Sequence, residues 1–123
     1  MSLDASAILA AKDCLIQELE IPEWGGSVFI RVMSSADRRG MELLSERKET
    51  EHFREEMAVR VLCDKNGELL FSSADVEALG KKNSLVLDRI FDAAQGLNGM
   101  TSAAVDGLEK NLEETDSNAS GSD

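Results

Sequence analysis

The chain has 123 residues, of which 42% are hydrophobic, and carries a formal net charge of −11 at pH 7. This length supports one small domain with a modest core. The negative charge argues against a nucleic-acid-binding or anionic-membrane-binding protein, because both need a basic surface, and no apolar run approaches the roughly 20 residues that a spanning helix requires.

The cysteines and the histidine give no sign of a disulfide framework, a metal site or a cofactor. Cys14 and Cys63 lack a CxxC spacing, and no signal peptide opens the chain. A reducing cytoplasm is therefore expected, with both thiols acting as small core hydrophobes. His52 lies in a charged segment without a second ligand at suitable spacing, so we expect it to be exposed to solvent.

The first predicted element is a short amphipathic helix in residues 4–13. Good helix formers dominate this segment, and Ile8 and Leu9 would face the core. Because the segment is short, it could equally fray.

Alternating apolar residues on both sides of a turn predict a β-hairpin in residues 15–35. The apolar positions are Leu15, Leu19 and Ile21 before the turn and Val28, Ile30 and Val32 after it. Pro22 suits a strand end because it cannot donate a ladder hydrogen bond, and Gly25 and Gly26 supply the positive φ angles of a tight reversal. Trp24 is therefore predicted at the hairpin tip.

A helix is predicted to begin near Ser34, because Ser34 and Asp37 have the spacing of a capping box. Met41 and Leu44 give this helix an apolar edge. The next residues, 45–52, contain no strong hydrophobe and predict a solvated arm or a break between two helices.

Apolar periodicity resumes at Phe53 and predicts a second helix that continues to about Leu62. Residues 64–67 form a predicted turn in which Gly67 adopts a left-handed conformation. Residues 68–71 are too short for more than an extended edge segment.

Two further helices are predicted in the second half of the chain. Ser72 and Asp75 repeat the capping-box spacing before a short helix that Gly80 terminates. Ser84 opens the most regular apolar pattern, which predicts a core helix ending at Gly96 or Gly99. Its apolar positions are Leu87, Ile90, Phe91 and Ala94.

The C-terminal residues complete the predicted architecture. Residues 101–112 could form one more weak helix, whereas residues 113–123 are polar and acidic and should be disordered. The sequence thus predicts a mostly α-helical α+β fold with an N-terminal β-hairpin, a single domain in residues 1–112 and an acidic tail in residues 113–123.

Two stretches carry a resemblance to a known family. The run IPEWGGSVFIRVMSSADR, followed by CDKNGELLFSSADVEALGKKNSLVLDRIFDAAQGLNGMT, resembles the tail assembly chaperones of long-tailed bacteriophages and prophages. The resemblance spans residues 21–101 and depends on the order and spacing of the motifs. The charged segment in residues 46–52 and the acidic tail lie outside it.

The resemblance implies a non-enzymatic role in building a phage tail in the cytoplasm of a bacterial host. Such a chaperone binds the tape measure protein, keeps it soluble until tail-tube subunits polymerise around it, and then leaves. A longer product of translational frameshifting, which would recruit the major tail tube protein, is a further implication. Weak contacts by many copies along one client favour a homo-oligomer.

Candidate partner-binding residues follow from exposed apolar character and are Trp24, Gly25, Gly26, Phe29, Leu87, Ile90 and Phe91. Self-association could use the hairpin edge or the face of Leu87, Ile90 and Phe91. Trp24 could equally fold back as a lid on the core. The glycine pair is better explained by turn chemistry than by phosphate binding, because no phosphate-loop pattern surrounds it.

An enzyme is not expected, because no nucleophile and base pair and no carboxylate in an apolar pocket can be identified. Two other classes of protein stay open as alternatives. One is a structural tail-terminator or head-tail joining protein that remains in the virion. The other is an acidic regulatory module that binds a basic partner.

Overall fold

The computed structural model describes residues 1–100, which form an α+β domain in which helices predominate. In chain order the elements are α1 (Ala5–Ala10), β1 (Ile16–Ile21), a 3-10 turn (Pro22–Trp24), β2 (Gly26–Arg31), α2 (Ser35–Glu46), α3 (Phe53–Val61), β3 (Leu62–Cys63), a second 3-10 turn (Ser73–Asp75), α4 (Val76–Leu79) and α5 (Ser84–Leu97). The predicted fold class is confirmed for this part of the chain. The predictions of a weak helix in residues 101–112 and of a disordered tail in residues 113–123 lie outside the described residues.

The sheet is antiparallel, with the strand order β1-β2-β3. The predicted hairpin is confirmed: Leu19 pairs with Val28, and Ile21 pairs with Gly26. The third strand was not predicted, because the apolar pattern of α3 runs without interruption into Leu62. In the structure Leu62 takes an extended conformation with ψ of 122° and pairs with Ile30 of β2.

The core lies between the inner face of the hairpin and the helices. Ile21 and Ile30 are fully buried there, and α3 and α5 pack against β2. Met41, Met57, Val86 and Ile90 fill the helical side, each with 1% exposure or less. At about 25 cal/mol per Å² of apolar surface, this burial supplies the main stabilisation of a domain of this size.

The predicted starts of α2, of the turn before α4 and of α5 are confirmed. The Ser34 hydroxyl accepts a hydrogen bond from the Asp37 N–H at 3.1 Å. Ser72 and Asp75 form a complete capping box, in which the Asp75 carboxylate accepts from the Ser72 N–H at 2.8 Å. Helix α5 begins at Ser84, as predicted, and its N-cap is Asn83, whose side chain accepts from the Leu85 N–H at 2.8 Å.

The prediction that Ile8 and Leu9 face the core is wrong. Helix α1 forms with Asp4 as its N-cap, but it buries no residue, and Ile8 and Leu9 are 57% and 87% exposed. Among the described residues, α3 and α5 supply the helical cover of the hairpin, and no residue of α1 joins the core.

The turn predictions are confirmed in part. Gly25 and Gly67 have the left-handed φ angles of 78° and 86° that the turns require, whereas Gly26 begins β2 without one. Gly80 ends α4 in a right-handed conformation, and Gly99 rather than Gly96 follows the end of α5. Residues 45–52 are exposed throughout, as predicted, but residues 45 and 46 still belong to α2, and only residues 47–52 separate it from α3.

No helix in residues 1–100 is long and apolar enough to cross a membrane.

Asn98 links the C-terminal end of α5 to the end of β2 through hydrogen bonds. Its side chain is 8% exposed and accepts a hydrogen bond from the Met33 N–H at 2.7 Å, while its amide donates to the Ala94 carbonyl at 2.8 Å. The Asn98 carbonyl accepts from the Arg38 guanidinium at 3.0 Å. One residue therefore joins α5, the strand end and α2.

We expect Asn98→Ala to lower the free energy of unfolding by about 1–3 kcal/mol, because the buried Met33 N–H loses its acceptor. Urea unfolding followed by circular dichroism measures this change. Asp92→Ala, an exposed substitution on the same helix, is the control. A loss for Asn98→Ala below about 0.5 kcal/mol, the usual effect of a surface change, would contradict the assigned role.

Candidate protein-binding site

The hairpin tip is a rigid turn. Pro22 opens the 3-10 turn, where its fixed φ angle and missing N–H carry no penalty. Gly25 closes the turn by donating its N–H to the Pro22 carbonyl at 3.0 Å, with a φ angle that strains any side chain. The turn therefore holds Trp24 in one place.

An ion pair fixes the tip to α5. The Arg89 guanidinium donates to both carboxylate oxygens of Glu23, at 2.8 and 2.7 Å. This two-bond geometry is the one in which arginine binds a carboxylate most strongly. The hydrogen bonds from Arg89, helped by a backbone hydrogen bond, lower the pKa of Glu23 to about 2.

An apolar groove of about 560 Å³ lies beside the tip, between the hairpin and α4. We call it the tip groove, and it is lined by Trp24, Phe71, Asp75, Ala78, Leu79 and Lys82. Trp24 and Phe71 are half-buried and pack against the core, so their remaining surface forms the apolar walls. Leu79 is 6% exposed and belongs to the core itself.

Local sequence signals position the groove wall. The capping box of Ser72 and Asp75 starts the turn that leads into α4, and this helix presents Ala78 and Leu79 to the groove. The Asp75 carboxylate is occupied by the cap. Lys82 is exposed at the rim and forms no ion pair with another residue of the described range.

The groove brings together one of the predicted partner-binding residues with several that the sequence did not single out. Trp24 lines the groove, and Gly25 and Gly26 form the adjacent turn and strand start. Trp24 thus lies half-buried against the core and also lines an open surface, which combines features of both sequence interpretations. Whether it contacts a partner stays a prediction.

The other predicted residues lie elsewhere. Phe29 is half-buried on the outer face of the sheet, opposite Glu18 of β1 and Cys63 of β3. Leu87 and Ile90 are only 2% and 1% exposed, so they have no free surface in the single chain. Partner contact by these residues remains a prediction.

Phe91 lies on a different part of the surface. It packs edge-to-face on Phe53 with ring centroids 5.9 Å apart, and the Arg54 guanidinium lies 5.8 Å from the ring centre. The predicted residues therefore do not form one continuous site.

Phe71, Ala78 and Lys82 are the groove residues that sequence reasoning missed as a site. Phe71 directly precedes the capping box, and an aromatic residue in a segment without helical or strand periodicity is a signal that could have been noticed. Ala78 and Lys82 carry no such signal, because only the fold places them near Trp24.

The described residues contain no cluster of three or more His, Cys, Asp or Glu side chains that could hold a metal ion. His52 is exposed, as predicted. Cys63 is a buried core residue, as predicted, and burial raises the pKa of its thiol, whereas Cys14 is only partly buried, so the prediction that it is a core residue is wrong. A protonated buried thiol is a poor nucleophile.

Two of three comparisons with known proteins gave a match. The sequence model of a family described as "Phage tail assembly chaperone" matches residues 4–116. The solved structure of the bacteriophage HK97 tail assembly chaperone is similar in fold, with a TM-score of 0.58 and 21% sequence identity over 75% of this chain and 90% of that one. Comparison with curated proteins gave no match.

The ion pair between Glu23 and Arg89 predicts a pH-dependent stability. Because folding lowers the pKa of Glu23 from its ordinary 4.5 to about 2, the stabilisation is complete above pH 4.5 and is lost as the pH falls toward 2. We expect Glu23→Gln to be less stable than the wild type at pH 6, and the gap to close between pH 4.5 and 2. Thermal unfolding at a series of pH values measures it.

Glu77→Gln is the matched control, because Glu77 is exposed and has no ion-pair partner within residues 1–100. A gap between Glu23→Gln and the wild type that is the same at every pH would contradict the assignment. So would an equal pH response in the control.

Proposed function

Because the chain belongs to the phage tail assembly chaperone family, we propose that it binds the tape measure protein, keeps it soluble while tail-tube subunits polymerise, and is absent from the finished virion. The observation that carries this proposal is the tip groove, an open apolar surface on a strongly acidic domain. A chaperone that holds an aggregation-prone chain needs both properties, since apolar contacts bind the client and like charge keeps the complex in solution.

The structure of the groove supports a role in protein binding. Its walls come from two aromatic side chains, Trp24 and Phe71, which offer large apolar area at a small cost in conformational entropy. The walls are fixed before any client arrives, because Trp24 belongs to a turn held by Arg89 and Phe71 packs against the core. A preformed site loses less entropy on binding.

Further parts of the proposal concern assembly and cellular location. We propose that residues 1–112 act as one domain, that the chain works in the cytoplasm of a bacterial host, and that several copies associate along one client. Multiple copies gain avidity even where each groove binds weakly. A longer form made by frameshifting would recruit the major tail tube protein.

The first test is co-expression with the tape measure protein. Ala78 is exposed and lines the groove, so Ala78→Glu places a charge on its apolar wall. We expect the variant to fold normally, to bind the client at least about tenfold more weakly, a loss of roughly 1.4 kcal/mol, and so to leave less client in the soluble fraction.

Ala5→Glu is the control, because it makes the same substitution at an exposed position in the first turn of α1, a helix that does not line the groove. The control should solubilise the client as the wild type does. Equal client solubility with Ala78→Glu and Ala5→Glu would contradict the role of the groove.

The second test separates a chaperone from a structural virion protein. Mass spectrometry of purified particles should detect the tube and tape measure proteins but not this chain. Recovery of the chain at a fixed copy number in mature particles would contradict the proposal and favour a tail-terminator or head-tail joining protein.

A further inference from the structure

The two edges of the sheet differ in whether another segment of the chain pairs with them. The β3 edge is covered by the chain itself: after the turn at residues 64–67, the Leu70 N–H donates to the Leu62 carbonyl at 3.0 Å, and Leu69 bridges to Cys63. Strand β1 forms the other edge, and within residues 1–100 its backbone bonds only to β2. An uncovered strand edge is a template for another strand.

The pairing register shows which groups face outward from β1. Val32 donates its N–H to the Leu15 carbonyl at 2.8 Å, so this pair is hydrogen-bonded. In an antiparallel pair the residues that face the partner alternate with those that face away. Ile16, Glu18 and Glu20 therefore direct their backbone N–H and carbonyl groups to the free edge.

The side chains at these positions decide which strand can pair there. Glu18 and Glu20 are exposed on the outer face of the sheet. The Glu18 carboxylate accepts a hydrogen bond from the Ser27 hydroxyl of β2 at 2.5 Å, so it must turn away from β2 to meet a strand at the free edge. Pairing of β1 with a second copy of β1 would place carboxylates next to carboxylates, and like charges directly opposite are destabilising.

We propose that the free edge of β1 binds an extended polypeptide strand that carries Lys or Arg at alternate positions. The backbone of Glu18 and Glu20 supplies the hydrogen bonds, and their carboxylates select basic side chains on the same face. In an antiparallel pairing, the basic residue opposite Glu18 bonds through its own N–H and carbonyl. The inference that this strand is a segment of the client rests on the proposed function. The chemistry of the edge does not depend on that function.

The experiment uses the full chain and a capped seven-residue peptide of alternating Lys and Val. NMR titration should shift the amide signals of Ile16, Glu18 and Glu20 and slow their hydrogen exchange. N-methylation of the Lys residues removes the N–H groups that face the edge, whereas N-methylation of the Val residues leaves them. We expect the first peptide to bind at least about tenfold more weakly than the second, as for the loss of about 1.4 kcal/mol of hydrogen bonding.

The second part of the experiment reverses the charge of the β1 carboxylates. The double variant Glu18→Lys with Glu20→Lys should no longer bind the Lys peptide and should instead bind a peptide of alternating Glu and Val. Glu49→Lys with Asp92→Lys changes the net charge equally at two exposed positions away from β1, and it should bind the Lys peptide within about threefold of the wild type. If the lysine variant does not fold, the double variant Glu18→Gln with Glu20→Gln replaces it. This variant should also bind the Lys peptide more weakly than the wild type.

Equal affinity of the two methylated peptides would overturn the proposal, because it would reduce the binding to general charge attraction. An equal loss of affinity in the β1 variant and the control variant would overturn it as well. Neither result would affect the proposed chaperone function, which the co-expression test examines through the groove.

Discussion

Burial of Ile21 and Ile30 against α3 and α5 is the constraint on which the rest of the structure depends. A two-stranded hairpin is marginally stable alone in water, so β1 and β2 keep their geometry because their inner face is covered by helices. Two polar contacts then fix the ends of the hairpin: Asn98 at the open end and Arg89 at the tip. The tip groove lies where the turn at the tip places Trp24 beside α4.

The domain combines two properties that usually exclude each other. An exposed apolar surface promotes aggregation, whereas a net charge of −11 keeps copies of the chain apart. The groove is small and confined to one end of the hairpin, and the free edge of β1 carries carboxylates. Apolar and hydrogen-bonding surfaces are thus available to another polypeptide, while pairing between identical edges is disfavoured. These features fit a chain that belongs to a family of assembly chaperones.

Local patterns were sufficient to predict most of the fold. Strand alternation identified the hairpin, serine caps identified the starts of α2 and of the turn before α4, and the apolar stripe of α5 identified a core helix. The strand β3 could not be predicted, because Leu62 continues a helical pattern and becomes extended only when Ile30 is beside it. The exposure of Ile8 and Leu9 likewise depends on other helices having covered the core.

The candidate site was harder to predict from the sequence than the fold. Trp24 was noticed for its position in the turn, but Phe71 and Ala78 join it only through long-range packing. Leu87 and Ile90 were noticed for their apolar character, and that same character places them in the interior. An apolar residue in a sequence pattern is equally consistent with a core and with a binding surface until the fold separates the two.

Trp24 is the only tryptophan in the sequence and lines the groove, so its fluorescence tests the central claim most directly. Titration with a tryptophan-free fragment of the tape measure protein should shift the emission to shorter wavelength and protect it from quenching by acrylamide, because the client excludes water from the groove. A complex that forms by gel filtration while the emission and its quenching stay unchanged would contradict the account.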